Sequence, residues 1–286
     1  MTSMAQTLII VFREILEASL IVGIVLAATR GVPRRHAWIS GGVGGGVLGA
    51  LLVAGFAGEI AAALEGVGQE MFNASILFAA VIMLGWHNIW MSRHGRELAQ
   101  NATRLGQEVR SGTRPLYALG LVVGIAVLRE GSEVVLFLYG IAASSGSSAA
   151  GMAVGGALGL AAGAATGAAI YFGLQVIPTR HLFSVTNWLI LLLAAGMASQ
   201  GAAFLVQAGF LPVLGNSIWD TSSLLSETSL FGQLLLVLAG YTARPEGIQL
   251  VFYLVTLVGI GTLMRLVGRD TPASRSEEPT ARYRAS

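Results

Sequence analysis

Long apolar stretches separated by short polar connections dominate the chain. A helix that crosses the hydrocarbon core of a bilayer needs about 20 mostly apolar residues, and seven stretches meet that length. They occupy residues 4–28, 38–62, 72–92, 116–141, 148–177, 184–208 and 248–267. The pattern predicts an all-α, polytopic membrane protein with seven transmembrane helices in a transmembrane domain over residues 1–269.

The composition agrees with a membrane protein. Hydrophobic residues make up 54% of the 286 residues and charged residues 11%, and the mean hydropathy is +0.72. Soluble domains are far more charged. The chain has no cysteine, which excludes disulfides, thiolate metal sites and thiol nucleophiles. Any bound metal must therefore use oxygen or imidazole ligands.

The charges in the connections predict how the chain is oriented. Arginines follow the first, third, fifth and seventh stretches, whereas the opposite connections are mainly acidic. By the positive-inside rule, the protein is expected to lie in a cell membrane with its N-terminus outside and its C-terminus in the cytoplasm. The basic residues are thus topology signals, and no nucleic-acid partner is expected. The first stretch lacks a basic n-region and is expected to be a retained span.

Three segments outside the spans have less definite patterns. Residues 93–114 have apolar residues at helical spacing, which is typical of an interfacial amphipathic helix, but a plain cytoplasmic loop fits equally well. The apolar run at residues 231–240 is short for a span and favours a re-entrant or surface segment, with an eighth span as the alternative. Residues 270–286 have the composition of a disordered cytoplasmic tail.

An internal repeat relates residues 4–92 to residues 116–208, with the last span, residues 248–267, outside it. The charged motif Arg13, Glu14, Glu17 falls on Arg129, Glu130, Glu133. Because three spans separate the copies, the two repeats must cross the membrane in opposite directions. Such a 3+3 inverted repeat places its shared site near the midplane.

Each repeat carries an Arg-Glu-X-X-Glu motif within its first span, where a charged side chain costs roughly 2.5–3.5 kcal/mol. Residues three and four apart lie on one face of a helix, so Glu17 lies beside Glu14 and Arg13. Four carboxylates can converge where the two spans cross, with two arginines as counter-ions. Iron, manganese, calcium and magnesium all suit such ligands. The alternatives are intrahelical ion pairs that hold the bundle together, or a proton relay.

These motifs resemble those of the oxidase-dependent iron permeases of fungi and bacteria, also called the iron/lead transporter family. Members have two Arg-Glu-X-X-Glu motifs on the first and fourth of seven spans, and the stretch at residues 240–245, Gly-Tyr-Thr-Ala-Arg-Pro, is also similar. The family often has Gly-Leu between the glutamates, whereas this chain has Ile15-Leu16 and Gly131-Ser132. The two variable positions of each motif therefore differ from the residues common in the family, whereas all the charged positions of the motifs match the family pattern.

The resemblance implies high-affinity inward transport of iron, which is the transported substrate, with no organic cofactor and no enzymatic activity. The implied ligands and their ion-pair partners are Glu14, Glu17, Glu130 and Glu133, with Arg13 and Arg129. It also implies an extracytoplasmic partner, either a multicopper oxidase or a periplasmic iron-handling protein. The alternatives are transport of another divalent cation and a membrane-embedded carboxylate metalloenzyme, whose sites usually have Glu-X-X-His.

Other polar residues are weaker candidates. Glu59, Glu65 and Glu70 crowd the outer end of the second span, where they form either a cation entrance or ordinary solvated loop charges. His87 lies in the third span between Trp86 and Trp90, and it is expected to be a packing residue. The acidic outer loop before the last span is a candidate docking surface.

Overall fold

The computed structural model describes residues 2–64, 69–143, 148–173, 179–215, 217–226, 229, 232, 235–236 and 240–269. These residues form helices and connections without a strand. The helices whose bounds lie within these residues are α1 (Thr2–Ala28), α2 (Arg35–Leu64), α3 (Gln69–Arg110), α4 (Tyr117–Ala143), α5 (Ala149–Tyr171), α6 (Thr179–Gln207) and α7 (Gly247–Arg269). The prediction of an all-α polytopic protein is confirmed.

Within the described residues, five helices have both the length and the apolar composition of membrane spans. They cover Arg35–Glu59, Glu70–Met91, Ala149–Tyr171, Ser184–Gln207 and Gly247–Leu266. The other two, α1 and α4, are 27 residues long, or about 40 Å at 1.5 Å per residue. Each of them holds three charged residues of an Arg-Glu-X-X-Glu motif, which interrupt an otherwise apolar helix. The total of seven spans therefore stays a prediction.

Helix α3 is much longer than its predicted span. It contains 42 residues and extends for about 63 Å, roughly twice the thickness of the hydrocarbon core. Residues 93–110 continue this helix, so they are neither a separate interfacial helix nor a loop. We call residues 93–110 the α3 extension.

The α3 extension is held against the ends of two neighbouring helices. Ala102, Leu105 and Val109 are buried in one apolar cluster with Val25 of α1 and Leu119 of α4. The amphipathic pattern in the sequence was real, but its apolar side packs on protein rather than lying alone at the bilayer surface. The predicted span ends at residue 92 because the apolar stretch ends there. The helix itself continues, since polar residues can extend a helix beyond the membrane.

The fifth span is shorter than predicted. Helix α5 ends at Tyr171, and Gly173 follows in the left-handed conformation with φ of 70°. Glycine adopts this conformation without steric cost and commonly ends a helix. Residues 174–178, the end of the predicted stretch 148–177, lie outside the described residues.

Glycines allow α1 and α5 to pack with their backbones in contact. The buried residues of α5 recur every fourth position, at Gly155, Gly159, Gly163 and Gly167. A Cβ atom on Gly155 would lie 2.1 Å from the carbonyl oxygen of Met4, and one on Gly159 would lie 2.7 Å from that of Leu8. Small residues at such spacing bring membrane helices together closely.

Helices α2 and α4 pack in the same way. A Cβ atom on Gly42 would lie 2.4 Å from the carbonyl oxygen of Gly120, and one on Gly46 would lie 2.7 Å from that of Gly124. Each motif helix thus packs on the glycine-rich helix of the other predicted repeat, α1 on α5 and α4 on α2, while α3 packs on α6. The repeat boundaries themselves stay a prediction.

Two apolar clusters lie on either side of the charged motifs. Along α1, Ile10 belongs to one cluster and Val25 to the other; along α4, Phe137 and Val123 do the same. Both motifs lie between these positions. The fold therefore encloses a charged layer between two apolar layers.

The segment before α7 reaches back to the middle of α6. Gly240 has φ of 65°, and a Cβ atom there would lie 2.7 Å from the Cα atom of Gly196. Upstream, the amide of Thr221 donates to the carbonyl of Ala243 over 3.0 Å. The contact between Gly240 and Gly196 leaves no room for a side chain on either glycine.

Two predictions fall largely on residues that the structure does not describe. In the apolar run at residues 231–240, residues 231, 233–234 and 237–239 lie outside the described residues. The tail at residues 270–286 lies outside them as well. The re-entrant segment and the disordered tail therefore stay predictions.

Candidate metal site

The charged residues of both motifs meet near the centres of α1 and α4. Glu14 lies close to the middle of Thr2–Ala28, and Glu130 lies at the middle of Tyr117–Ala143. Helical spacing places the arginine and both glutamates of each motif on one face. Helices α1, α3 and α4 contact one another, so the two faces and one side of α3 form a single charged layer.

In the α1 motif, one arginine holds both glutamates. Nη1 of Arg13 lies 2.9 Å from Oε1 of Glu14, and Nη2 lies 3.0 Å from Oε1 of Glu17. Arg13 is 1% exposed, so both ion pairs are buried, and the one to Glu14 is also a charge-assisted hydrogen bond. The guanidinium is fixed between its partners.

The α4 motif is more open. Nε of Arg129 lies 3.2 Å from Oε1 of Glu133 and 3.9 Å from Oε1 of Glu130, and 33% of its side chain is exposed. Its guanidinium carbon lies 4.1 Å from the centre of the Trp90 ring, within the range of a cation–π interaction. One strong ion pair and one aromatic face therefore hold Arg129.

His87 of α3 joins the two motifs. Its Nδ1 contacts Oε2 of Glu133, and its Nε2 lies 3.5 Å from Oε2 of Glu17 and 3.9 Å from Oε2 of Glu14. The interpretation of His87 as an ordinary packing residue is wrong. One sequence signal pointed to it, because any ionisable side chain inside a span is a functional candidate.

Four residues bring ligand atoms close enough for a metal. Glu14, His87, Glu130 and Glu133 each offer one such atom, and the four atoms all lie within 4.8 Å of one another. Ligand atoms bonded at about 2.0–2.2 Å, as zinc makes with oxygen and nitrogen, lie at most about 4.4 Å apart. Only a small contraction would bring these four atoms onto one transition-metal ion. We call these four residues the ligand group.

Glu17, the fourth predicted carboxylate ligand, lies beside the ligand group rather than within it. One of its oxygens pairs with Arg13, and the other faces His87. Oε2 of Glu14, of Glu17 and of Glu130 are buried without a hydrogen-bond partner. Buried polar atoms without partners are costly, and a bound cation would satisfy them. That the four glutamates are ligands stays a prediction.

The candidate entrance residues lie away from this layer. Glu59 and Glu70 are exposed, near the end of α2 and the start of α3, and neither belongs to the ligand group. Glu65 lies outside the described residues. Their role as an entrance stays a prediction.

An exposed ion pair stabilises the segment before α7. Nε of Arg244 lies 2.9 Å from Oδ2 of Asp220, and the hydroxyl and amide of Ser222 donate to Oδ1 of the same carboxylate. Hydrogen bonds from Ser222 and then from Arg244 lower the pKa of Asp220 from 3.8 to about 2. Arg244 lies in the stretch 240–245 that resembled the iron permeases.

Comparisons with known proteins agree on one family. The sequence model of the Iron permease FTR1 family matches residues 4–268. The chain is 30% identical to the ferrous iron permease EfeU of Yersinia pestis over 270 residues, which are 93% of this chain and 95% of that relative. It is 31% identical to the ferrous iron permease EfeU of Escherichia coli O6:H1 over 255 residues, 87% of this chain and 91% of that relative. No solved structure matches.

Proposed function

Because the chain belongs to the iron permease FTR1 family, we propose that it carries ferrous iron through a site formed by Glu14, His87, Glu130 and Glu133. It is a multi-pass membrane transporter of iron rather than an enzyme. The observation that carries the proposed site is the convergence of four ligand atoms from three helices within 4.8 Å. The relatives named as ferrous iron permeases support the choice of oxidation state.

The charge of the layer favours a divalent ion. Four glutamates and two arginines lie in it, so the carboxylates, when ionised, exceed the guanidinium groups by two negative charges. One ferrous ion neutralises that charge, whereas a ferric ion exceeds it. Three carboxylate oxygens and one imidazole nitrogen also form a mixed donor set that suits first-row divalent metals.

The two arginines act as counter-ions when no metal is bound. A carboxylate oxygen that coordinates iron is no longer available to a guanidinium. The arginine must therefore either move away or pair with the other oxygen of the same carboxylate. Arg13 pairs through Oε1 of Glu14 and leaves Oε2 free for the metal. Glu17 then keeps Arg13 in place and does not need to be a direct ligand.

Iron moves inward by alternating access around this layer. The proposal rests on the inverted repeats, residues 4–92 and 116–208, whose motif helices cross at the ligand group. Inverted repeats in transporters expose a fixed central site to one side and then the other. With the N-terminus outside, the acidic connection that includes Glu59, Glu65 and Glu70 is the entrance, and the arginine-rich connections lie in the cytoplasm.

An extracytoplasmic oxidoreductase or iron-handling protein delivers the iron. This part of the proposal rests on the family resemblance and on the long connection between α6 and α7. The Asp220–Arg244 pair and the hydrogen bond from the Thr221 amide to the Ala243 carbonyl join two described parts of that connection. A folded outer segment is suited to docking a protein partner.

Radioactive ferrous iron uptake into proteoliposomes tests the site. The variants are Glu14→Gln, Glu130→Gln and His87→Ala, with Glu97→Gln as the matched control, because Glu97 is an exposed carboxylate on the same helix as His87. We expect the two glutamate variants to lose uptake and His87→Ala to raise the apparent KM by about tenfold or more. Loss of a ligand or its close support commonly lowers metal affinity by 10–100-fold.

Equilibrium binding of ferrous iron to the detergent-purified variants separates binding from movement. Unchanged binding and uptake in Glu14→Gln, with the protein folded, would overturn the proposed site. Manganese and calcium are added as competitors. If manganese is transported and ferrous iron is not, the layer serves another divalent cation.

A further inference from the structure

A cavity of about 540 Å³ opens beside the ligand group and extends toward the connection between α3 and α4. Arg129 and Glu130 line one end of it. Arg104, Glu108 and Arg114 line the other end, where Glu108 accepts contacts from Arg104 at 3.1 Å and from Arg114 at 3.0 Å. The cavity thus has charged groups at both ends. We call it the inner cavity.

The α3 extension forms one wall of the inner cavity. Leu98, Asn101 and Leu105 line it from α3, and Val122 and Ala126 line it from α4. The wall between the charged ends is apolar except for Asn101, so it offers few ligands to hold an iron ion on its way. Residues of the α3 extension, which continues the helix beyond the membrane span, thus supply the wall on that side.

A second cavity of about 410 Å³ lies on the other side of Arg129. His87, Glu133, Trp86 and Trp90 line it together with Arg129. Arg129 lines both cavities, and along α4 it lies between Glu133 of one and Ala126 of the other. Its guanidinium is therefore at the boundary between them.

We propose that the inner cavity is the water-filled route by which iron leaves the ligand group, and that Arg129 closes this route. The inference rests on the proposed function and deepens it. Glu130 belongs to the ligand group and also lines the inner cavity, so an ion bound by Glu130 is already at the head of the route. The positive charge of Arg129 repels that ion until the side chain moves.

Iron binding itself releases Arg129. The guanidinium is held by Glu133 and by the face of Trp90, and Glu133 is a member of the ligand group. An ion bound through both oxygens of Glu133, Oε1 as well as Oε2, removes the stronger of the two holds. The arginine is then retained by the weaker cation–π contact alone and is free to leave the boundary between the two cavities.

Thiol labelling tests this route directly, because the natural chain contains no cysteine. Ala126→Cys places a thiol in the wall of the inner cavity, and Leu121→Cys places one on the same helix at an exposed position that does not line it. Ser111→Cys, in the connection between α3 and α4, reports the side from which a charged, membrane-impermeant methanethiosulfonate arrives. The protein is studied as full-length chain in proteoliposomes.

We expect Ala126→Cys to react from the same side as Ser111→Cys and about tenfold faster than Leu121→Cys, because a thiol ionises in water and stays protonated in lipid. Labelling of Ala126→Cys should also block iron uptake. Active Ala126→Cys protein that does not react, or that reacts and still transports iron, would overturn the proposed route. If Ala126→Cys is inactive before labelling, Asn101→Cys at the exposed wall replaces it and is judged by the same outcomes. If the cysteine variant takes up iron normally but the reagent fails to label it, the route alone is refuted. If the cysteine-free protein takes up no iron, the proposed function is refuted.

Discussion

The two Arg-Glu-X-X-Glu motifs have the same spacing but different surroundings. Arg13 is 1% exposed and contacts both of its glutamates at about the same short distance. Arg129 is one third exposed, makes one ion pair of 3.2 Å, and rests on an aromatic ring. Sequence identity at the charged positions therefore does not make the two halves equivalent.

The difference assigns separate tasks to the motifs. A buried guanidinium with two charged partners is expensive to move, because each partner would be left unpaired in a low dielectric. A guanidinium that faces two cavities and a tryptophan can change position at lower cost. In the proposed transport cycle, the α1 motif is thus the fixed side of the site, and the α4 motif is the side that moves.

Removing each arginine should give the largest contrast. We expect Arg13→Ala to lower the free energy of unfolding by roughly 3–5 kcal/mol, because two buried carboxylates lose their counter-ion. Arg129→Ala should cost only about 1–2 kcal/mol, since its charges are partly screened by solvent. Thermal unfolding of the purified variants in detergent measures both. Equal losses would remove the distinction between a fixed and a movable side.

Replacing each arginine by lysine should separate the motifs in transport. An ammonium is a point charge and cannot serve two carboxylates as a planar fork does. Arg13 uses Nη1 and Nη2 on different partners, so we expect Arg13→Lys to lose most iron uptake. Arg129→Lys should also impair uptake, by about two- to threefold, since a single carboxylate and a ring face still accept an ammonium. Initial uptake rates at saturating iron distinguish the two, and a greater loss in Arg129→Lys would contradict the assignment.

Changing the aromatic partner should have a smaller effect. Trp90→Leu removes the ring under Arg129, and we expect a loss of about 0.5–1 kcal/mol in stability. Trp90→Phe should retain part of it. Trp188→Leu is the matched control, because its ring lies 6.0 Å from Arg265 at the limit of such contacts. If Trp90→Leu and Trp90→Phe unfold alike, the ring does not hold Arg129 through its face.

The exposed Asp220–Arg244 pair should give the smallest effect and sets a baseline for the buried pairs. The pKa of Asp220 is lowered from 3.8 to about 2 in the folded protein, so its stabilising contribution is present above about pH 4 and is lost as the pH falls through about 2. Asp220→Asn should therefore differ slightly from wild type at neutral pH and converge with it in acid. Unfolding midpoints across this range check the prediction, and a difference that grows in acid would contradict it.

The sequence predicted the charged layer because its signals are local. Charged residues within an apolar stretch are easily seen, and helical spacing alone places Arg13, Glu14 and Glu17 on one face. The convergence of both motifs followed from their repetition. These arguments need only residues that are close along the chain.

Other features depend on contacts between distant residues and were missed. His87 has no spacing relation to either motif, and only the packing of α3 on α1 and α4 brings it to Glu133 and Glu17. The α3 extension was missed because hydropathy marks where a helix leaves lipid and does not mark where the helix ends. The apolar residues of the α3 extension are buried against α1 and α4. A pattern of neighbouring residues along the chain does not reveal such contacts.

Because α3 is long, a small tilt of its axis corresponds to a large displacement of its far end. The helix has no proline between Gln69 and Arg110, and sharp kinks in helices occur mainly at proline. Its far end lies 23 residues beyond His87, about 34 Å of helix, so a tilt of about 5° at the histidine displaces that end by about 3 Å. A displacement of about 3 Å near Arg110 would therefore correspond to a rotation of only about 5° of the helix axis about His87.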